Sequence, residues 1–117
     1  MKPLFAIINS GGMVSNGLDL TQVHGIRGIF VPGMTSGDLL LQAGYATQSG
    51  TTPPASGDYS RFAETRAVGS GDLKLATGTG SRYIPWPLGY GETIPPYLRM
   101  ESTVSQTNLC TLTLLTR

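Results

Sequence analysis

The chain has 117 residues, of which 16 are Gly and 8 are Pro; only 13% are charged, and the formal net charge is +1. An ordinary soluble domain is roughly 25% charged, so this composition excludes a disordered charged tail and gives no basic footprint for nucleic acid. The density of Gly and Pro excludes a coiled coil or helical bundle, and the lack of a three-residue glycine period excludes collagen.

Lys2–Asn9 alternates with Leu4, Ala6 and Ile8 on one face, which predicts a strand. Its apolar run, Leu4 to Ile8, is shorter than the roughly 7–15 residues of a signal-peptide core. No stretch approaches the roughly 18 apolar residues of a membrane span. The single Cys110 cannot close a disulfide within the chain. These features predict synthesis in a cytoplasm and no membrane partner.

Met13–Leu20 is a weaker strand, interrupted by the turn pair Asn16-Gly17. His24–Val31 places Ile26, Gly28 and Phe30 on one face and Arg27, Ile29 and Val31 on the other. Apolar residues on both faces predict a strand covered on both sides. Asp38–Tyr45 alternates Leu39, Leu41, Ala43 and Tyr45 against Leu40 and Gln42. Residues 48–57 are Ser, Thr, Gly and Pro with almost nothing to bury, and are expected as an exposed loop.

Two further strands are expected over Ser60–Val68 and Asp72–Thr77, the latter with Leu73 and Leu75 inward and Lys74 outward. Ser81–Trp86 fits a short edge strand, because Pro85 cannot donate to a ladder. Ser-Gly-Asp recurs at 36–38, 56–58 and 70–72, each time where a turn would launch the next strand. Residues 86–96 are rich in Pro but hold Trp86, Leu88, Tyr90 and Ile94. Such a loop packs either on the edge of its own core or on a partner, where Trp and Tyr are enriched. Tyr97 to Arg117 is free of Gly and Pro, and its alternation predicts two antiparallel strands, about 97–104 and 108–116. Thr favours strands over helices, which supports this reading. The whole describes one domain over 1–117, an all-β antiparallel sandwich of about eight strands.

The residues carry little that points to catalysis. A nucleophilic triad would have to use the lone His24, and the inward Cys110 reads as a small hydrophobe. One Cys and one His fall short of a zinc site. Asp38, Asp58 and Asp72 are loop carboxylates of the kind calcium takes, but they lack EF-hand spacing and read as turn formers. Glu64 and Glu101 stand among Arg61, Arg66 and Arg99, where surface ion pairs across strands explain them better than a glycosidase pair with Glu92. The clusters at 69–71 and 78–80 lack the Lys-Ser/Thr ending of a phosphate loop. Neither an enzyme nor a cofactor is expected.

Three stretches carry a resemblance: Leu18-Asp19-Leu20 leading into His24 to Pro32; Asp38 to Ala43; and Pro96 to Ser102 with Gln106-Thr107 and Thr111 to Leu115. Together they resemble small β-sandwich virion proteins of tailed bacteriophages. The resemblance implies a jelly-roll-like or discoidin-like sandwich that decorates or cements a capsid. It also implies a virion location, the major capsid protein as partner, and a homo-oligomer with the trimer as a frequent form. Partner contacts are expected from Trp86, Leu88, Tyr90 and Ile94 and from Phe5 in the N-terminal segment. On this reading, truncating Trp86 and Tyr90 lowers capsid occupancy and leaves the monomer folded. The alternative is a carbohydrate-binding sandwich of a tail fibre or baseplate, with Trp86, Tyr83 and Tyr90 stacking on sugar rings.

Overall fold

A computed structural model describes residues 2–45, 54–63, 71–75, 77–86 and 94–116. Among the described residues, nine strands follow in chain order: β1 (Lys2–Ile8), β2 (Leu18–Asp19), β3 (Ile26–Val31), β4 (Leu39–Gly44), β5 (Tyr59–Arg61), β6 (Lys74–Leu75), β7 (Arg82–Pro85), β8 (Tyr97–Ser102) and β9 (Cys110–Thr116). A 3-10 turn at Ser56–Asp58 precedes β5. Of the expected strand over 60–68, only the first residues are described.

The strands form two antiparallel sheets. One has the order β1-β9-β3-β7; the other has the order β2-β8-β4-β5, with β6 also paired to β4. The pairing is nested: β4 pairs with β5 and β6, β3 with β7, β2 with β8, and β1 with β9. A long hairpin rolled up so that its outer arms also meet, through β3–β9 and β4–β8, is a jelly roll. The expected all-β sandwich is therefore present in jelly-roll form.

Alternation explains the core. Ala6 and Ile8 of β1, Cys110, Leu112 and Leu114 of β9, and Ile29 and Val31 of β3 face Leu39 and Leu41 of β4 and Leu98 and Met100 of β8. All are buried, most of them completely. Each fully buried Leu or Ile contributes about 1.5–3 kcal/mol by leaving water. Leu73 and Leu75 face inward and Lys74 outward, as the pattern predicts.

Two expectations change. The strands over 97–104 and 108–116 do not pair with each other: β8 lies in one sheet and β9 in the other, so the polar segment between them crosses the sandwich. The strand over 24–31 is not covered on both sides. A bulge between Ile26 and Gly28 inserts one extra residue. Ile26 thereby joins Ile29 and Val31 in the core, while Phe30 stands on the opposite face, 47% exposed.

The crossing from β8 to β9 is held by Gln106. Its side chain is buried, its Oε1 accepts from Thr35 N (2.8 Å), and its Nε2 donates to Ser102 Oγ (2.8 Å). Its backbone also bonds to Gly11 and Gly12. One side chain thus ties three loops at one end of the sandwich, and each of its polar atoms is partnered, as burial demands.

Candidate functional site

The two sheets present very different outer faces. On the five-stranded sheet, Gln42 lies opposite Arg99 and Arg61, and Leu40 lies opposite Glu101. Arg61 grips Glu101 with two bonds, Nε to Oε1 (2.9 Å) and Nη2 to Oε2 (2.8 Å), and reaches Asp72 with Nη1 (3.0 Å). Gln42 Nε2 donates to Glu101 Oε1 (2.5 Å), and Arg99 Nε donates to Gln42 Oε1. The Arg99 guanidinium lies 4.2 Å from the Tyr59 ring centre. Two cations and two anions therefore neutralise each other along one continuous network.

Glu101 was expected at the surface, but it is only 7% exposed. The bonds from Arg61 hold its carboxyl below the ordinary carboxylate value; burial opposes them and the Gln42 bond adds to them. Burial and the network together make Glu101 an internal anchor of this face.

The outer face of the four-stranded sheet is built differently. One row crosses it in register: Phe5 of β1, Thr113 of β9, Phe30 of β3 and Tyr83 of β7. A second row runs Pro3, Leu115, Gly28 and Pro85, and Ile7 stands opposite Thr111. None of these residues is charged. Phe5 is 51% exposed, Phe30 47%, Tyr83 46% and Ile7 37%. The alternation of β1 and β9 generates this face, since every second residue must point away from the core.

The aromatic side chains are held in place. The Phe30 and Tyr83 ring centres are 4.8 Å apart, and the Tyr83 hydroxyl donates to Arg27 O (3.1 Å). Tyr83 lies over Gly28, the one residue of β3 without a side chain to obstruct it.

Both edges of this sheet are poorly suited to pairing with a full further strand. Asn16 caps the outer edge of β1: its Oδ1 accepts from Ile7 N (2.8 Å) and its Nδ2 donates to Phe5 O (3.3 Å). The side chain imitates a neighbouring strand and satisfies the groups that would otherwise recruit one. The β7 edge ends in Pro85, which has no N–H.

The sequence-predicted contact residues fall in different places. Phe5 lies on this open face. Trp86 and Ile94 are partly buried against the domain's own core, with Trp86 edge-on to Phe62 at 6.4 Å. Trp86 Nε1 is buried without an acceptor among the described residues. Leu88 and Tyr90 lie outside the described residues, as do residues 48–53 of the predicted exposed loop. Phe30 and Ile7 belong to the open face and were not singled out in the sequence. The outward alternation of Lys2–Ile8 pointed to Ile7, whereas the bulge hid the orientation of Phe30.

The remaining candidates have local tasks. Cys110 is buried, and burial pushes its thiol upward in pKa. His24 precedes β3 at the end where Ile26 meets Thr116, the far end of β9 from Cys110, about 20 Å away at strand rise. Asp38 accompanies a turn whose N–H bonds to Thr103 Oγ1, Asp58 Oδ2 accepts from Ala55 N, and Asp72 pairs with Arg61. Among the described residues, no three His, Cys, Asp or Glu come together as a metal site.

Comparison with protein-family models, with curated proteins and with solved structures returns no match.

Proposed function

We propose that this chain is a structural protein of a tailed-phage virion, a capsid decoration or cement protein that attaches through the outer face of its four-stranded sheet. The observation that carries this reading is the contrast between the faces. One carries the ion-pair network of Arg61, Glu101, Asp72 and Arg99, and the other is uncharged, aromatic and open along the row from Phe5 to Tyr83. Exposed apolar surface organised in this way marks an interaction site.

Size supports a role inside an assembly. Four strands spaced about 4.8 Å and a seven-residue strand rising about 3.4 Å per residue give a footprint of about 450 Å². A standard interface takes about 800 Å² per partner. One such face holds weakly alone, and three in a trimer bind a repetitive shell by avidity. The major capsid protein is the partner this reading requires, and the resemblance in the core motifs points the same way.

A sugar-binding module of a tail fibre or baseplate is the second reading. The paired, exposed rings of Phe30 and Tyr83 favour it, because pyranoses stack on aromatic faces. Quantitative mass spectrometry of purified particles separates the two. A copy number comparable with that of the major shell protein supports decoration. A handful of copies at the tail, with a hit on a glycan array, supports the sugar-binding module and overturns decoration.

A further inference from the structure

A second feature lies at the open side of the sandwich, where β6 ends one sheet and β7 ends the other. Between them is a cleft of about 410 Å³ lined by Lys74, Leu75, Arg82, Tyr83 and Ile84. Lys74 and Arg82 are exposed, and neither has an acidic partner among the described residues. The Arg82 guanidinium rests against Gly78: a β-carbon there would lie 2.9 Å from Nη2 and 3.1 Å from Nε. Arg82 thus lies along the Gly78 backbone at the cleft.

The backbone adds a second element. Trp86 N donates to Arg27 O (2.9 Å), and Ile84 lies opposite Ile29. In an antiparallel ladder the bonded residues alternate. Arg82 and Ile84 therefore turn their backbone groups toward β3, and Tyr83 turns its N–H and C=O away from it. Pro85 lacks an N–H, so among the described residues Tyr83 is the one position of β7 that offers both a donor and an acceptor at this edge. That is too little to recruit a full strand, and enough to fix one residue of an extended peptide.

We propose that this cleft binds a short, extended, acidic peptide segment of a partner protein. One residue of the segment pairs with the Tyr83 backbone, and carboxylates meet Lys74 and Arg82. Charge complementarity selects an acidic occupant. A peptide is favoured over an acidic sugar because the Tyr83 ring is already engaged with Phe30 and Arg27 on the sheet face, which leaves no ring to stack a sugar in the cleft. The site is separate from the sheet face and stands whichever reading of that face holds.

The test is an NMR titration of the ¹⁵N-labelled chain with a blocked tetraglutamate peptide at low salt. The expected result is shifts confined to the amides of Lys74, Leu75 and Arg82–Ile84, with the Tyr83 amide moving downfield. Lys74→Gln and Arg82→Gln should each weaken binding about fivefold, the size of one solvent-accessible ion pair. Arg27→Gln, the removal of another exposed cation, should leave it unchanged. Melting curves check that each variant is folded, and Lys74→Gln, an exposed exchange, keeps the test intact if Arg82→Gln unfolds. An equal response to a tetraglutamine peptide, equal binding of an oligogalacturonate, or indifference to both substitutions overturns the proposal.

Discussion

The phenol of Tyr83 lies over Gly28: a β-carbon on that glycine would stand 2.5 Å from Tyr83 Cζ and 2.7 Å from Cε1. No real β-carbon approaches that closely, so Gly28→Ala must displace the ring. The hydroxyl bond to Arg27 O and the contact with Phe30 go with it. Because Tyr83 is half-exposed and can swing outward, urea unfolding should show Gly28→Ala less stable by about 1 kcal/mol, the worth of the lost hydroxyl bond and ring contact. Tyr83→Phe removes only the hydroxyl and should cost about 1 kcal/mol or less. Unchanged NMR shifts of the Tyr83 ring in Gly28→Ala would contradict this packing.

Glu101 makes stability depend on pH. Its folded-state pKa lies below the ordinary 4.5 because Arg61 favours the charged form. Its contribution is complete above that ordinary value and is lost as pH falls through the lowered one. Thermal melting from pH 7 to 3 should show the wild type losing stability across that window. Glu101→Gln should show a flatter profile there, and at pH 7 should be about 1–3 kcal/mol less stable. Parallel profiles for the two proteins would contradict the assignment.

Asn16 protects the edge of β1. Asn16→Ala leaves Ile7 N and Phe5 O without their partner. Hydrogen exchange at the Ile7 amide should speed up about tenfold, with global stability lowered by about 1 kcal/mol. Unchanged exchange at Ile7 would mean that the cap does not protect the edge.

Trp86 packs on Phe62 and the core edge. Trp86→Ala should therefore lower stability by about 2–4 kcal/mol, read by chemical denaturation. A fully stable variant would return Trp86 to the surface role that its loop composition first suggested.

The sequence shows the strands best where alternation is uninterrupted. Lys2–Asn9, Asp38–Tyr45 and the run from Tyr97 onward all contain strands close to the expected bounds. The Ser-Gly-Asp turns at 36–38 and 56–58 do lead into β4 and β5. What alternation cannot show is pairing. Tyr97–Ser102 and Cys110–Thr116 look like the arms of a hairpin because a polar connection is the same in sequence whether it turns back or crosses the sandwich. The bulge at Arg27 is invisible for a related reason: one extra residue reverses the facing of everything before it, and nothing in its side chain marks it. Glu101 shows the third limit. A charged residue on an outward position reads as exposed until Gln42 and Arg61, distant in sequence, are placed over it. Of the candidate site, the sequence offers Phe5 as a contact of the N-terminal segment and Tyr83 only as a sugar-stacking residue, and Phe30 requires the register.

The central claim is that the aromatic outer face of the four-stranded sheet, along the row from Phe5 to Tyr83, attaches the chain to a shell. Its most direct test is the copy number, on purified particles, of a Phe5→Ser, Phe30→Ser double variant. Both side chains are about half exposed, so the variant should fold and melt near the wild type. The account predicts a copy number at least about tenfold below that of the wild type, as expected for the loss of central aromatic contacts. A folded variant that occupies particles at the wild-type level contradicts it.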